Sequence, residues 1–325
     1  MNRYNALFAG LALLLLPTSA MARNIVLSND DGLTSNVRAL YDALKRQGHD
    51  VIVSVPCSSQ SGMGAAIKAM RPLGPLAAGC ANGAAKAGAP GVGPMTRPGF
   101  ERDFYYVDGT PVMALLYGLD VVAARRWGKA PDLVLSGPNE GQNAGYVVIS
   151  SGTVSVAQYA GMRGIPAIAL SAGVDTAGNA ELANPKSRTV AMLSTQLVKA
   201  LDTRAGAGPL LPAGIALNVN FPDDLGGATW KPARIGTYNE IQLRFSEDID
   251  KASPPPVSAA GSGPLPHLPG LIVAENGERP GADQQDDEAV VYRKHIAVSV
   301  MQLGYDHQAP ARRWLRTHLR GFLEK

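Results

Sequence analysis

Two adjacent aspartates, Asp30 and Asp31, lie in the segment "NIVLSNDDGLTSN", directly after a short apolar run and before a glycine. Neighbouring carboxylates repel each other, so the pair either lies in a solvated turn or is held together by a cation. Such carboxylates can bind a hard divalent ion, and either one can orient or deprotonate a water molecule. Which chemistry they perform depends on the other polar residues that the fold brings near them.

The residues around the pair follow an alternating pattern of strands and helices. "NIVLS" and "DVIVSVP" are apolar runs typical of buried strands. Between them, the apolar spacing over 37–44 predicts an amphipathic helix that begins at Thr34 or Ser35 and stops at Gly48. Further strands are predicted at "FYYVDGTP", "PDLVLSG", "IPAIALSA" and "GIALNVNFP", with helices between most of them. This alternation predicts an α/β fold, a doubly wound domain with a mainly parallel sheet.

Three parts of the chain differ in composition. Residues 1–22 combine Arg3, an apolar stretch and the small-x-small sequence Ala20-Met21-Ala22, which predicts a signal peptide cleaved after Ala22; a membrane anchor is the alternative, but the run is short. Residues 23–225 are the predicted α/β core. Residues 226–325 form a predicted extension with a Pro/Gly/Ser-rich loop, a strand in "AVVYRKHIAVSVMQLG" and a terminal helix. We expect a periplasmic or secreted protein, with no membrane contact after cleavage and a sparsely apolar extension stabilised in an oligomer.

Composition and cysteine content limit the classes of partner. The 325-residue chain is 46% hydrophobic with a formal net charge of +3, and its basic residues are scattered, so a nucleic-acid polymer is not expected as partner. The two cysteines, Cys57 and Cys80, are predicted to form a disulfide in an oxidising compartment, two free thiols being the alternative. The five histidines are isolated and show no metal-ligand spacing, which argues against zinc.

Polar residues collect where the predicted strands end, which is where open α/β sheets bind ligands. These residues are Asp30 and Asp31 after the first strand, Ser59, Gln60 and Ser61 after the second, Asn139 and Asn143 after "PDLVL", and Ser151 and Thr153 at the next helix start. Two carboxylates with hydroxyl and amide oxygens suit Mg²⁺, Mn²⁺ or Ca²⁺. A helix start at "SGT" offers N–H groups to an anion. A cation beside an anion site predicts phosphate chemistry.

The chain resembles the SurE family, the stationary-phase survival proteins that are metal-dependent 5′/3′-nucleotidases and acid-type phosphatases. The resemblance rests on "NIVLSNDDGLTSNVRALYDAL", "QSGMGAAI", "DGTP", "PDLVLSGPNEGQNAG", "SGTVSVAQYAGMRGIPAIALS" and "LNVNFP", with "DDEAVVYRKHIAVSVMQL" similar to the family's C-terminal strand. It implies a Rossmann-like three-layer fold with a C-terminal β-hairpin and helix extension exchanged between subunits, in homodimers or homotetramers. Cys57 stands where the family commonly has an aspartate. This and the signal peptide suggest an exported paralogue.

Carried over to this sequence, the resemblance implies one divalent cation per subunit, Mg²⁺ or Mn²⁺ with Ca²⁺ as a further option. Its implied ligands are Asp30, Asp31, Ser61 and Asn139. The segments that line the family's phosphate pocket correspond to Asn143, Ser151, Gly152 and Thr153.

The predicted function is a metal-dependent phosphatase that hydrolyses phosphate monoesters, above all nucleoside 5′- or 3′-monophosphates. Asp30, Asp31 and Asn139 are its predicted catalytic residues. The alternative is a non-catalytic periplasmic paralogue that binds a phosphorylated ligand, which the altered segment "VPCSSQSG" keeps open. A metal-dependent amidase would need histidine ligands, which the sequence does not offer near the paired aspartates.

Overall fold

The computed structural model describes residues 22–176, 181–255, 265–306 and 309–323. Most of the predicted signal peptide, 1–21, lies outside the described residues. Within the described ranges, no helix combines the length and the apolar character needed to cross a bilayer.

Eleven strands and eight α-helices are described. The strands are β1 (Asn24–Ser28), β2 (Asp50–Pro56), β3 (Val92–Pro94), β4 (Phe104–Val107), β5 (Leu133–Glu140), β6 (Ala167–Ala172), β7 (Ile215–Asn220), β8 (Trp230–Ala233), β9 (Ile241–Ser246), β10 (Gly270–Glu275) and β11 (Ile296–Gln302). The helices are α1 (Ser35–Arg46), α2 (Pro111–Tyr117), α3 (Ala124–Trp127), α4 (Gly152–Met162), α5 (Pro185–Ala205), α6 (Glu288–Val291), α7 (Ala309–His318) and α8 (Arg320–Leu323). A π-helical segment, Gly118–Ala123, joins α2 to α3.

Nine of the strands form one mixed sheet in the order β3-β4-β2-β1-β5-β6-β7-β11-β8. Strands β4, β2, β1, β5, β6 and β7 are parallel to one another. β3 and β11 run antiparallel to β4 and β7, and β8 pairs in parallel with β11. The expected mainly parallel α/β sheet is therefore confirmed. Because the carboxyl ends of β1, β2 and β5 meet at one edge, residues far apart in sequence share a rim there.

Alternate residues of the central strands face two separate apolar layers. Ile25 and Leu27 of β1 pack in the core beneath α1 and α5, whereas Val26 packs on the opposite side with α2 and α4. A strand buried on both faces must be apolar at every position, which is why "NIVL" carries no alternation. The result is the expected three-layer arrangement.

Local signals set the ends of α1. Thr34, rather than Ser35, is its N-cap: the Thr34 side chain accepts a hydrogen bond from the backbone N–H of Val37. Gly48 follows the helix with φ +87°, a backbone conformation that glycine adopts without strain. The short loop that follows brings the chain directly into β2.

Two predicted elements are wrong in extent. β5 continues through Glu140, so Asn139 lies at the end of a strand rather than in a loop, with a register shift against β6 between Ser136 and Asn139. The predicted strand over 289–304 is a strand only from Ile296, because the preceding residues form α6 and a turn. The backbone N–H of Glu288, at the start of α6, bonds to the Arg234 carbonyl.

The segment 226–325 takes part in both sheets. Strands β8 and β11 complete the main sheet, while β9 and β10 form the separate antiparallel pair that corresponds to the expected hairpin. Helices α7 and α8 follow at the C-terminus. The division at residue 225 stays a prediction, and it does not coincide with a division in the sheet.

Candidate active site

The turn after β1 is closed by the side chain of Asn29, which is fully buried. Its Nδ2 donates to the Gly32 carbonyl at 2.8 Å, and its Oδ1 accepts from the Gly32 N–H at 3.1 Å. Gly32 has φ +86°, and a Cβ there would lie 3.1 Å from the Pro56 carbonyl of β2. These contacts hold the Asp30–Asp31 pair in place against the end of β2.

Asp30 is 2% exposed and receives several hydrogen bonds from the start of α4. The Thr153 hydroxyl donates to its Oδ1, and the backbone N–H groups of Gly152 and Thr153 also donate to the carboxylate. Burial raises the pKa of Asp30 above its ordinary value, and these hydrogen bonds oppose the rise. Gly152 lies directly against Asp30: a Cβ on this glycine would be 2.7 Å from Asp30 Cβ.

Asp31 is less completely buried and has fewer donors. The backbone N–H of Glu140 donates to its Oδ2 at 3.1 Å, and Ser61 supplies a side-chain hydrogen bond. Desolvation, together with the negative charges of Asp30 and Glu140, raises the pKa of Asp31 to about 8. Without a cation, the two neighbouring carboxylates therefore resist being charged together.

Asn139 brings an amide oxygen to the same rim. Thr153 Oγ1 donates to Asp30 Oδ1 and also lies 3.2 Å from Asn139 Oδ1. The Asp30 carboxylate and the Asn139 amide oxygen are therefore close to each other. Asn139 Nδ2 donates to the Gly141 carbonyl at 2.7 Å, which turns the amide so that its oxygen points to Thr153.

The four predicted metal ligands supply carboxylate, hydroxyl and amide oxygens, the donor types that Mg²⁺ and Mn²⁺ prefer. Throughout the described ranges, neither aspartate has an ion pair with a Lys, Arg or His. The same ranges contain no group of three His, Cys, Asp or Glu side chains placed so that they could hold a metal ion, so any cation here would also need the Ser61 and Asn139 oxygens. Two desolvated carboxylates without a cationic neighbour are the arrangement that a divalent ion would stabilise.

Among the predicted phosphate-binding residues, Ser151, Gly152 and Thr153 lie at the start of α4 beside Asp30. Ser151 is the N-cap: its Oγ accepts from the Val154 N–H at 3.1 Å. α4 is buried along much of its length and rich in small side chains, which lets its first turn approach the strand ends closely. A helix N-terminus of this kind attracts negative charge, here the Asp30 carboxylate.

Asn143 has a different environment from the other predicted site residues. Its side chain is buried and donates from Nδ2 to Ser171 Oγ at 2.9 Å. Its backbone N–H donates to Asn220 Oδ1, and its carbonyl accepts from the side chains of Asn218 and Asn220. In this structure Asn143 anchors the loop after β5, and its predicted role in binding phosphate stays a prediction.

The loop that carries Ser61 is tied down on several sides. The Gln60 N–H donates to the Asp30 carbonyl at 2.7 Å, and the Gly64 N–H donates to the Ser150 carbonyl at 3.0 Å. Cys57, just before the loop, forms a disulfide with Cys80. Ser61 itself is exposed, so its hydroxyl lies where solvent and substrate can reach it.

Comparison with known proteins agrees with this arrangement. The model of the family described as survival protein SurE matches residues 25–241. A 5′-nucleotidase SurE of Sorangium cellulosum is 35% identical over 71% of this chain and 74% of its own length. The chain belongs to the SurE family. The crystal structure of a SurE protein from Aquifex aeolicus has a TM-score of 0.64 and 26% identity, covering 91% of this chain and 99% of that one.

Another relative is an acid phosphatase of Yarrowia lipolytica, 36% identical over 64% of this chain. The match spans 59% of that protein's length, less than two thirds. The matched family residues, 25–241, contain all the predicted metal ligands and the start of α4.

Sequence reasoning missed a buried polar network behind the site. It consists of Asn218 and Asn220 of β7, Ser171 of β6, Ser299 of β11 and Glu288 of α6, all fully buried. Desolvation raises the pKa of Glu288 to about 7. One signal was available: "LNVNF" places two amides on the same face of an otherwise apolar strand, which is unusual unless both have partners.

Proposed function

We propose that this SurE-family chain is a divalent-metal-dependent phosphatase whose substrates are nucleoside 5′- or 3′-monophosphates. The observation that carries the proposal is the buried Asp30–Asp31 pair, which faces the Ser61 and Asn139 oxygens and has no cationic partner in the described ranges. The similarity to a 5′-nucleotidase and to an acid phosphatase supports the reaction class. The chain is accordingly a hydrolase of phosphate monoesters.

Asp30, Asp31, Ser61 and Asn139 would hold one Mg²⁺ or Mn²⁺ ion. When bound, such an ion polarises a phosphoryl oxygen and makes a water molecule more acidic. The donor set fits these ions because each of the four residues offers an oxygen atom as ligand; the Asn139 nitrogen donates to the Gly141 carbonyl instead.

The chain's own groups would position the phosphate and move the proton. The Ser151 hydroxyl, at the N-cap of α4, would donate to a phosphoryl oxygen. The Thr153 hydroxyl and the N–H groups of Gly152 and Thr153 donate to Asp30 in this structure and would have to exchange that partner for a phosphoryl oxygen. Water attacks phosphorus, the ester P–O bond breaks, and the leaving alkoxide oxygen takes up a proton from solvent and departs as the alcohol. We assign the proton of the attacking water to Asp31, because Asp30 already receives the Thr153 hydroxyl and two backbone N–H groups.

A hydrolysis panel tests this function. The full mature chain is incubated with nucleoside 5′- and 3′-monophosphates and other phosphate monoesters in Mg²⁺, Mn²⁺ or Ca²⁺, and phosphate release is measured. We expect hydrolysis that EDTA abolishes. Asp31→Asn should reduce it by at least about a hundredfold, whereas Asp42→Asn on the exposed face of α1 should not change it.

Full activity in EDTA, or in Asp31→Asn, would contradict the metal-site assignment. If calorimetry detects nucleotide binding but no ester in the panel is hydrolysed, the chain is instead a non-catalytic phospholigand-binding protein.

We also propose that the protein is exported. The signal-peptide pattern of residues 1–22 and the Cys57–Cys80 disulfide support this proposal. Sequencing of the mature N-terminus and fractionation of the producing cells test it; a chain that keeps Met1 and stays in the cytoplasm would refute it.

A homo-oligomer is proposed for a separate reason. The C-terminal helices expose Trp314, Leu315 and Phe322 within one short segment, and groups of exposed apolar side chains often mark an interface. Light scattering should give a dimeric or tetrameric mass, and a monomer at micromolar concentration would contradict the proposal.

A further inference from the structure

Glu288 is a fully buried carboxylate that contacts the loop after β5. Its Oε1 accepts from the backbone N–H of Gly145 at 3.2 Å. Its Oε2 accepts from Ser299 Oγ at 2.8 Å and from Asn218 Nδ2 at 3.0 Å. The Glu288 carboxylate is thus surrounded by hydrogen-bond donors, and it forms no ion pair with a cationic side chain in the described ranges. Burying a carboxylate costs free energy, so a buried glutamate without a cationic partner calls for a structural or functional explanation.

The donors around Glu288 connect it to Asn143. Asn218 Nδ2 lies within hydrogen-bond distance of both the Glu288 carboxylate and the Asn143 carbonyl. Asn220 contacts the same carbonyl and accepts from the Asn143 N–H. Glu288 and these two amides therefore bind successive backbone groups of the loop, from residue 143 to residue 145.

The loop leads directly into the predicted phosphate-binding segment. A 3₁₀ helix, Gly145–Ile149, begins at the residue that Glu288 holds and is followed at once by Ser150 and the Ser151 N-cap of α4. The Ser150 carbonyl also accepts from Gly64, near Ser61. A displacement of Gly145 would thus be transmitted through one short helix to both sides of the site.

Gly145 itself has little freedom to find another partner. Its φ is +62°, and a Cβ added there would collide with the side chain of Asn239 and lie 2.8 Å from the Tyr238 carbonyl. Losing the Glu288 acceptor would leave a buried N–H without a hydrogen-bond partner, which destabilises the structure unless the loop moves. Movement of the loop relieves that cost, and it is this movement that would disturb the site.

We propose that Glu288 is a positioning residue for hydrolysis: its carboxylate fixes the backbone at Gly145 and so places Ser151–Thr153 against Asp30. The inference rests on the proposed phosphatase function. It gives the C-terminal segment, which supplies Glu288, a direct part in shaping the site on the N-terminal strands. Glu288 does not touch the substrate in this proposal.

The test compares three substitutions in the full chain with a matched control. Glu288→Gln keeps an oxygen for the Gly145 N–H, Glu288→Asp withdraws the carboxylate by one methylene, and Glu288→Leu removes the acceptor. The control is Asp202→Leu, because Asp202 is also a buried carboxylate but pairs with Arg23 at the opposite edge of the sheet. Each variant is assayed for kcat, KM, melting temperature and Mn²⁺ binding by calorimetry.

All values of kcat/KM are expressed per Mn²⁺-binding site measured by calorimetry. We expect Glu288→Gln to keep kcat/KM within about threefold of the parent, and Glu288→Leu and Glu288→Asp to lower it by about 10- to 100-fold. Mn²⁺ affinity should change by less than about threefold, because Glu288 contacts none of the metal ligands, which lie in the turn after β1, on β5 and in the loop after β2. Asp202→Leu should melt at least as early as Glu288→Leu but retain the parent kcat for each Mn²⁺-binding site.

If Glu288→Asp folds and keeps the parent kcat/KM, the inference is overturned, even if Glu288→Leu fails to fold. It is also overturned if all variants, including Asp202→Leu, lose activity only in proportion to their folded fraction. An unsubstituted chain that hydrolyses no ester in the panel refutes the proposed function itself, which is a different outcome.

Discussion

Gly152 occupies a position in the site that has no room for a larger side chain. A Cβ added there would lie 2.7 Å from Asp30 Cβ and 2.7 Å from Pro111 Cγ. Carbon atoms in contact are normally about 3.5–4.0 Å apart, so an alanine would be about 0.8 Å too close on both sides. Since Asp30 and Pro111 both crowd this position, the first turn of α4 has no free direction in which to retreat.

Gly152→Ala should therefore push Asp30 and the start of α4 apart by somewhat less than 1 Å. Displacements of this size at a catalytic site reduce rates by about a hundredfold, and overpacking lowers the free energy of unfolding by about 1–3 kcal/mol. We expect kcat/KM to fall to about that extent and Mn²⁺ binding to weaken as Asp30 moves.

Gly161→Ala is the matched control on the same helix. Its Cβ would meet the end of the Leu303 side chain, which can rotate away, whereas Gly152 faces a carboxylate and a proline ring. Hydrolysis of a substrate from the panel, Mn²⁺ calorimetry and melting temperature should be measured for both variants. The control should keep kcat/KM within about threefold. Equal activity and equal Mn²⁺ affinity in the two variants would refute the placement of Gly152 against a functional Asp30.

Three further predictions concern the surroundings of the pair. Because the pKa of Asp31 rises from 3.8 to about 8 on folding, the folded metal-free protein binds more protons than the unfolded chain between these values. Its stability in EDTA should then fall as pH rises from 5 to 8, and Asp31→Asn should flatten this dependence in urea titrations; an equally steep decline in the variant would contradict the assignment. Reducing the Cys57–Cys80 disulfide should lower the free energy of unfolding by about 3 kcal/mol, to be checked against a Cys57→Ser/Cys80→Ser variant, which should be insensitive to reductant. Asn29→Ala removes both hydrogen bonds that close the turn and should cost about 2 kcal/mol of stability and weaken Mn²⁺ binding; unchanged affinity would show that the turn does not position the aspartates.

Much of the core fold could be predicted because its signals are local. The runs "NIVLS" and "DVIVSVP" became β1 and β2, and the spacing between them became α1. Where a segment's structure depended on distant partners, the prediction was less accurate. The residues before Ile296 read as a strand, but contacts with the segment around Arg234 hold them in α6. Similarly, pairing with β6 carries β5 past Pro138, where local sequence suggests a loop.

The sequence by itself determined the alternation of strands and helices and the kinds of polar residue at the strand ends. That information is local, because periodicity and turn chemistry act over a few residues. Only the tertiary structure decided which oxygen atoms meet and how strongly each aspartate is desolvated. Thr153 reaches Asp30 across 123 residues of sequence, and Glu288 reaches Gly145 across 143. The pKa and the orientation of a group depend on its burial, the charges near it and its hydrogen bonds. In the folded chain these are supplied by residues distant in sequence, so local sequence does not reveal them.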